Sequence, residues 1–347
     1  MRDDEIQTPL RFVVTVDTEA DDAWTRPADI QLVNLRQIPR FQDLCDKYEV
    51  VPTYLLAYEC AAREDALSIL KPLADKRRCE IGHHLHVWTT PPFQNERPDG
   101  IDHDWIHAFQ FQLPDSLFAE KAEVLRQAIE DGFGQSPTSH RAGRWGIDQR
   151  TVDWLVSKDF VAESSKCPGM RLMMQGPGIK LSVPPGRRIA AAEYNMQRNP
   201  YLWPSTDGIG SREDIVELPA TVDVPSGLAP TLCRRFMALQ WPGEFFALRV
   251  YRRLGGERML RPDPRYAPGE LPRIIESAIR QGVTVINLML HSSELALHCS
   301  PFTTTQQDLE SIWTHLEEAF RYAHDRRIKS EGLSDVARLA RVNSQHA

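Results

Sequence analysis

The sequence predicts an α/β barrel, and three observations carry that prediction. Apolar, β-prone runs alternate along the chain with stretches of helical periodicity. Two of the runs stop on residues that bind metals or move protons: Val14-Thr15-Val16-Asp17-Thr18-Glu19 and Glu80-Ile81-Gly82-His83-His84-Leu85-His86. Two further segments, His140-Arg141-Ala142-Gly143-Arg144-Trp145-Gly146 and Val285-Ile286-Asn287-Leu288-Met289-Leu290-His291, repeat the pattern with arginine and with histidine. Chemistry gathered at the ends of several parallel strands is how barrel enzymes are built.

The elements follow in order. Arg11 to Val16 reads as a buried strand. Asp29 to Tyr48 is helical, with Leu32, Leu35, Ile38, Phe41 and Leu44 on one face and Pro39 predicting a kink or break. Val51 to Leu56 is the second strand, Asp65 to Leu73 a short helix, and Cys79 to Gly82 opens the third strand. This strand–helix–strand rhythm implies parallel pairing through crossover helices. Thr89 to Asp104, rich in Pro, Asp and aromatics, is a loop that should overhang the histidines. A helix from Asp115-Ser116 carries Phe118, Ala122, Leu125 and Ile129 inward and should stop at Gly132. Thr138 to Arg141 is a short strand, and Asp148 to Lys158 a helix. Lys166 to about Gly210 reads as a long loop. Ile215 to Val224 is a strand, Thr231 to Gly255 helical and aromatic-rich, Leu271 to Arg280 a helix ending before Gly282, and Val283 to Leu290 the last clear strand. Thr304 or Thr305 caps a long helix with Leu309, Ile312, Trp313, Leu316 and Phe320 at helical spacing. No repeat or linker divides the chain, so the expectation is one domain over 1–347 with a helical region from about 304.

At 347 residues the chain has the length of one barrel with insertions. A net charge of −7 argues against a nucleic-acid partner. No apolar run is long enough to span a bilayer, and the acidic start Met1-Arg2-Asp3-Asp4-Glu5 argues against a signal peptide. The six cysteines form no CxxC pair, so free thiols in a reducing, cytoplasmic compartment are expected.

Strand geometry sharpens the candidate site. Residues i and i+2 share a face, so Asp17 pairs with Glu19 and His84 with His86, while His83 points the other way. A carboxylate and two imidazoles with room for water suit a catalytic metal rather than a structural one. Asp21 or Asp22 is better read as a helix cap. Arg141 can hold a carboxylate through paired hydrogen bonds. His291 ends a strand before Ser292-Ser293-Glu294 and is either a general acid or a histidine tied into that turn.

At these residues the chain resembles the polysaccharide deacetylase (NodB-homology) superfamily, carbohydrate esterase family 4, and within it the WalW-like branch. The resemblance runs from about Arg11 to about Gln306. The family's Thr-Phe-Asp-Asp stands here as Thr15-Val16-Asp17-Thr18. Its His-Ser/Thr-x-x-His stands as His84-Leu85-His86-Val87-Trp88, its Arg-x-Pro-Tyr as Arg141-Ala142-Gly143-Arg144-Trp145, and its strand ending in histidine as Leu288-Met289-Leu290-His291. The resemblance implies a distorted (β/α)7-type barrel and metal-dependent hydrolysis of an N-acetyl group on an amino sugar or glycan. It makes Asp17 the general base, Arg141 its orienting partner, His291 the general acid and the backbone N–H near Trp145 an oxyanion donor. Two departures alter the metal site. Thr18 replaces the second aspartate and Trp88 the second histidine, which leaves Glu19, His84 and His86 as the expected ligands of a divalent metal, zinc by preference. Trp88, Trp105, Phe93 and Trp145 are candidates for stacking on a sugar. Two other readings stay open: another C–N hydrolase on the same scaffold, and a non-catalytic glycan-binding relative without its metal.

Overall fold

Period-two alternation builds the barrel wall. Along β1 (Arg11–Thr18), Phe12, Val14 and Val16 point outward into the layer of helices, and Val13, Thr15 and Asp17 point inward. The same alternation runs through β2 (Pro52–Leu56), β3 (Glu80–Leu85), β4 (Ser139–Ala142) and β10 (Val285–His291). The structure is a computed structural model and describes residues 8–25, 29–93, 109–168, 197–206, 214–224, 227–238, 250–251, 253 and 256–344.

An eight-stranded sheet of order β10-β1-β2-β3-β4-β5-β7-β6 curls into a half-barrel, with β5 at Ala162–Glu163, β6 at Tyr201–Trp203 and β7 at Ile215–Glu217. All neighbours are parallel except β6 and β7. This is the α/β barrel that the alternation predicts, distorted as the resemblance implies. The register sets Asp17 beside His291 and His84 beside Arg141, so four candidate residues lie at the carboxyl ends of adjoining strands.

The outer layer contains α1 (Ile38–Lys47), α2 (Tyr58–Ala62), α3 (Glu64–Asp75), α4 (Asp115–Phe133), α5 (Gln149–Ser157), α7 (Glu270–Arg280) and α8 (Gln306–Asp325), and α6 (Leu228–Ala238) precedes α7 in the chain. Thr305 caps α8: its Oγ1 accepts from Asp308 N at 3.1 Å and the Asp308 carboxylate accepts from Thr305 N at 2.8 Å. Helix α9 (Leu333–Ser344) lies across the floor of the barrel, where Leu333, Val336, Ala337 and Ala340 pack on Val13, Leu55, Val216 and Val285. Its first amides are capped by the wall itself: Thr53 Oγ1 accepts from Leu333 N at 3.1 Å and Glu80 Oε2 from Ser334 N at 3.1 Å.

Several boundaries differ from the sequence reading. At Pro39 the outcome is the break rather than the kink: Pro39 lies in the first turn of α1, after a separate 3-10 turn at Val33–Gln37, where proline fits because no N–H is needed. Helix α4 runs past Gly132 and ends at Gly134, whose φ of 73° is the left-handed conformation that closes a helix. Ile215 to Val224 is not one strand. It divides into β7 and β8 (Val222–Asp223), and β8 leaves the wall to pair with β9 (Arg258–Met259). The predicted loop from Lys166 to Gly210 contains β6. Much of that loop, the loop from Thr89 to Asp104, and most of the later part of Thr231 to Gly255 lie outside the described residues, as does Trp105.

Candidate active site

Arg141 anchors the site. It is fully buried, and four of its donors are used: Nη1 to Asp17 Oδ1 at 2.7 Å, Nη2 to Thr15 Oγ1 at 2.9 Å and to Ser164 Oγ at 2.9 Å, and Nε to Ser164 O at 2.8 Å. Asn287 Nδ2 donates to Ser164 Oγ at 3.0 Å and so braces that holder from β10. Burial raises the Asp17 carboxyl, but Arg141, His84 and His291 outweigh it and hold Asp17 below the usual carboxylate range. Asp17 is thus an ionised carboxylate aimed from the strand end.

Glu19, His84 and His86 gather beside it. Their ligand atoms lie within 4.8 Å of one another, and all three residues are buried. His86 Nε2 is 3.3 Å from Glu19 Oε2. His84 Nδ1 donates to Arg141 O at 2.9 Å, which fixes the tautomer and leaves the Nε2 lone pair for the cluster. Burial pulls His84 below its ordinary value in spite of the nearby Asp17, so the imidazole is neutral, the form a metal requires. Burial, with the Asp17, Glu59 and Glu294 carboxylates close by, pushes Glu19 up to about 8, although His291 opposes this. A carboxyl crowded by other acids, facing the neutral His84 imidazole and the His86 ring, is an environment that a divalent cation neutralises. The residues present therefore fit a metal.

Two neighbours shape His86. Trp88 is buried and stacks on its ring, with centroids 4.3 Å apart at 27°. A Cβ on Gly143 would come within 2.5 Å of His86 Cδ2 and 2.4 Å of Leu85 O, so only glycine leaves room for the imidazole there. Trp88 is therefore committed to packing rather than to a sugar. Phe93 is likewise engaged, lying 5.1 Å from Lys121 Nζ.

On the opposite flank, His291 Nδ1 pairs with Glu294 Oε1 at 2.8 Å, and Nε2 faces Asp17 Oδ2 at 3.9 Å. The two sequence readings of His291 are compatible: one ring nitrogen is tied into the turn, the other is turned to the cluster. Arg261 also binds Glu294 Oε1. Burial alone would lower His291, but Glu19, Glu294 and Asp17 outweigh it and raise its value. Trp24, 39% exposed, lies edge-on to His291 at 4.8 Å and leaves an aromatic surface at the mouth.

Trp145 packs under the Arg141 guanidinium, 4.9 Å from its ring centre. Trp145 and Arg144 both adopt left-handed backbone, with φ of 61° and 55°. Such residues cost on the order of 1–3 kcal/mol each and cluster at ligand sites. Asp21 is a cap, accepting from Val33 N at 2.9 Å and Asn34 N at 3.0 Å.

Sequence reasoning missed Ser164, Asn287, Arg261, Trp24 and the role of Gly143. Glu294 lay in the turn to which the sequence reading tied His291. Ser164 and Asn287 had no signal, because their contacts join distant strands.

No protein-family model matches the sequence, and no curated protein matches it. Solved structures do. A Mycobacterium smegmatis protein named as a polysaccharide deacetylase superposes with a TM-score of 0.50 at 14% identity, over 99% of this chain and 92% of that one. The 4-α-glucanotransferase of Thermococcus litoralis gives the same TM-score at 10% identity, over 95% of this chain and 40% of that one. A carbohydrate esterase family 4 pseudoenzyme from Bacillus anthracis gives 0.42 at 9% identity, over 95% and 66%. At these identities the likeness is one of fold.

Proposed function

We propose that the chain is a metal-dependent amide hydrolase that removes an N-acetyl group from an amino sugar or glycan precursor, in the manner of family 4 carbohydrate esterases and their WalW-like branch. One observation carries this reading: an ionised, arginine-held Asp17 and a carboxylate-held His291 flank a buried Glu19-His84-His86 cluster. A divalent cation held by those three residues, zinc by the nature of its donors, supplies Lewis acidity toward oxygen.

The protein's own groups then divide the proton work. Asp17 accepts a proton from the attacking water, and Arg141 keeps that carboxylate ionised until it does. Glu294 holds His291 Nδ1–H, so Nε2 is the atom that delivers a proton to the departing amine. The backbone N–H at Trp145 is the oxyanion donor. Trp24 offers a sugar-stacking face beside His291. The expected products are acetate and a free amine. We place the protein in a reducing, cytoplasmic setting, the reading that six cysteines without a CxxC pair support.

The test uses the purified full chain, loaded with zinc, against a panel of N-acetylated amino sugars and their oligomers. Acetate release is expected, and Asp17→Asn should reduce it by about 10²–10⁴ while zinc content stays the same. A second reading has its own support. Thr18 and Trp88 stand where the family carries two ligands, and this favours a glycan-binding relative that has lost metal. Sugar binding with no acetate release and no zinc retained would establish that alternative.

A further inference from the structure

Arg144 is the one residue of the β4 loop whose charge the site leaves unanswered. Its backbone lies between two residues already tied to the chemistry: Gly143, where a Cβ would collide with the His86 ring, and Trp145, under the Arg141 guanidinium. Its side chain is half-buried, with the guanidinium over the face of Phe109 at 5.1 Å. Among the described residues no carboxylate pairs with it. Burial lowers its pKa, and no neighbouring charge counters this. The contrast with Arg141, four of whose donors are used, is sharp. A partly desolvated guanidinium presents a planar fork of N–H donors, and planar oxyanions match that fork.

We propose that Arg144 binds an anionic group, a carboxylate or a phosphate, that the substrate carries beside its N-acetyl amide. This deepens the hydrolase reading and rests on it. The cluster itself is acidic, with Asp17, Glu19, Glu59 and Glu294 all buried in or beside it. An anionic substituent turned toward those carboxylates is repelled, and one turned toward Arg144 is held. The pair of interactions thus selects acidic amino sugars and sets which end of the sugar enters first. Phe109 fixes the plane of the fork, and the left-handed backbone at Arg144 and Trp145 fixes its origin.

The experiment measures binding by calorimetry to the full chain and to Arg144→Gln and Arg144→Lys. The probes are N-acetylglucosamine, N-acetylmuramic acid, N-acetylglucosamine 1-phosphate and inorganic phosphate. The wild type should bind at least one acidic sugar about tenfold or more tightly than the neutral one, as a charge-assisted hydrogen bond allows. Arg144→Gln should erase that preference and leave the neutral sugar within about twofold; Arg144→Lys should restore part of it. Which acidic sugar wins identifies carboxylate or phosphate. Equal binding of acidic and neutral sugars, or a preference that survives in Arg144→Gln, overturns the proposal, even where neutral sugars are deacetylated. Arg144-dependent binding of inorganic phosphate with no sugar bound at all upholds the anion site and instead defeats the amino-sugar reading. Unfolding temperatures of both variants, expected to match the wild type, exclude loss of fold as the cause.

Discussion

On the outer face of β3, His83 sits in a dry pocket with His140, their Nδ1 atoms 2.8 Å apart, walled by Trp154 and Phe160. On the inner face, one residue along, His84 looks onto Asp17 and Glu19. Both pairs of histidines are buried, and burial pulls His83, His140 and His84 below their ordinary value. What differs is the remaining nitrogen. In the outer pair the two rings bond each other: His83 Nε2 donates to Ala122 O at 3.1 Å, so its Nδ1 accepts from His140 Nδ1–H, and the lone pair of His140 Nε2 is left buried without a hydrogen-bond partner among the described residues. In the inner pair the backbone takes one nitrogen of His84 and the other is left facing acids. Residue type and burial alone therefore do not mark a reactive histidine; an uncommitted lone pair beside carboxylates does.

The largest expected effect comes from breaking the inner face. Arg141→Leu strands Asp17 as a buried charge and should cost about 3–5 kcal/mol in a denaturant titration. A loss below about 1 kcal/mol would mean that water reaches the cluster and that its electrostatics are screened. A second experiment separates the two faces. His140→Leu should cost about 1–3 kcal/mol, since it leaves His83 without its donor, and should leave zinc content unchanged. His84→Ala should abolish zinc retention with the fold intact. Zinc lost from His140→Leu in the folded protein would show that the faces are coupled through β3 and β4.

Acid sharpens the same contrast. Burial holds His83 down at about 3, and burial reinforced by His83 and His84 holds His140 well below its ordinary value. The unfolded chain binds these protons near pH 6.5 and the folded chain does not. The stabilisation is therefore complete above about pH 6.5 and is lost as pH falls from there toward 3, at up to about 1.4 kcal/mol per pH unit for each histidine. His140→Leu should flatten that slope, seen in stability measured against pH. The smallest effect is expected at Trp88. Trp88→Phe keeps a ring in the core but stacks less of it on the His86 imidazole, and should weaken zinc binding by about tenfold with a stability loss of about 1–2 kcal/mol.

Much of this contrast was legible before any coordinates. Alternation alone put His84 with His86 and Asp17 with Glu19, and it sent His83 to the other face, because the period of a strand is fixed by its backbone. The strand-end positions of Arg141 and His291 were legible for the same reason. The partners were not. Ser164 and Asn287 meet at Arg141 across long stretches of sequence, and His140 reads as one more strand residue until β3 lies beside it. The division of Ile215 to Val224 between two sheets was hidden because both halves have the same apolar composition. Gly132 misled for a local reason: glycine breaks helices, yet it is tolerated inside them.

The floor of the barrel bears on how the chain reaches this state. Strand β1 pairs with β10 along one edge, Phe12 bridges to Ser330, and Arg11 binds Glu331 across 320 positions of sequence. The first strand thus finds its last neighbours only when almost all of the described chain has been made. Until then one edge of β1 carries unpaired amides, and Val13 and Leu55 lack the cover of α9. Assembly of this kind has high contact order, so closing the wall and seating α9 should be the slow step, with β1 and β2 the surface most in need of protection during synthesis.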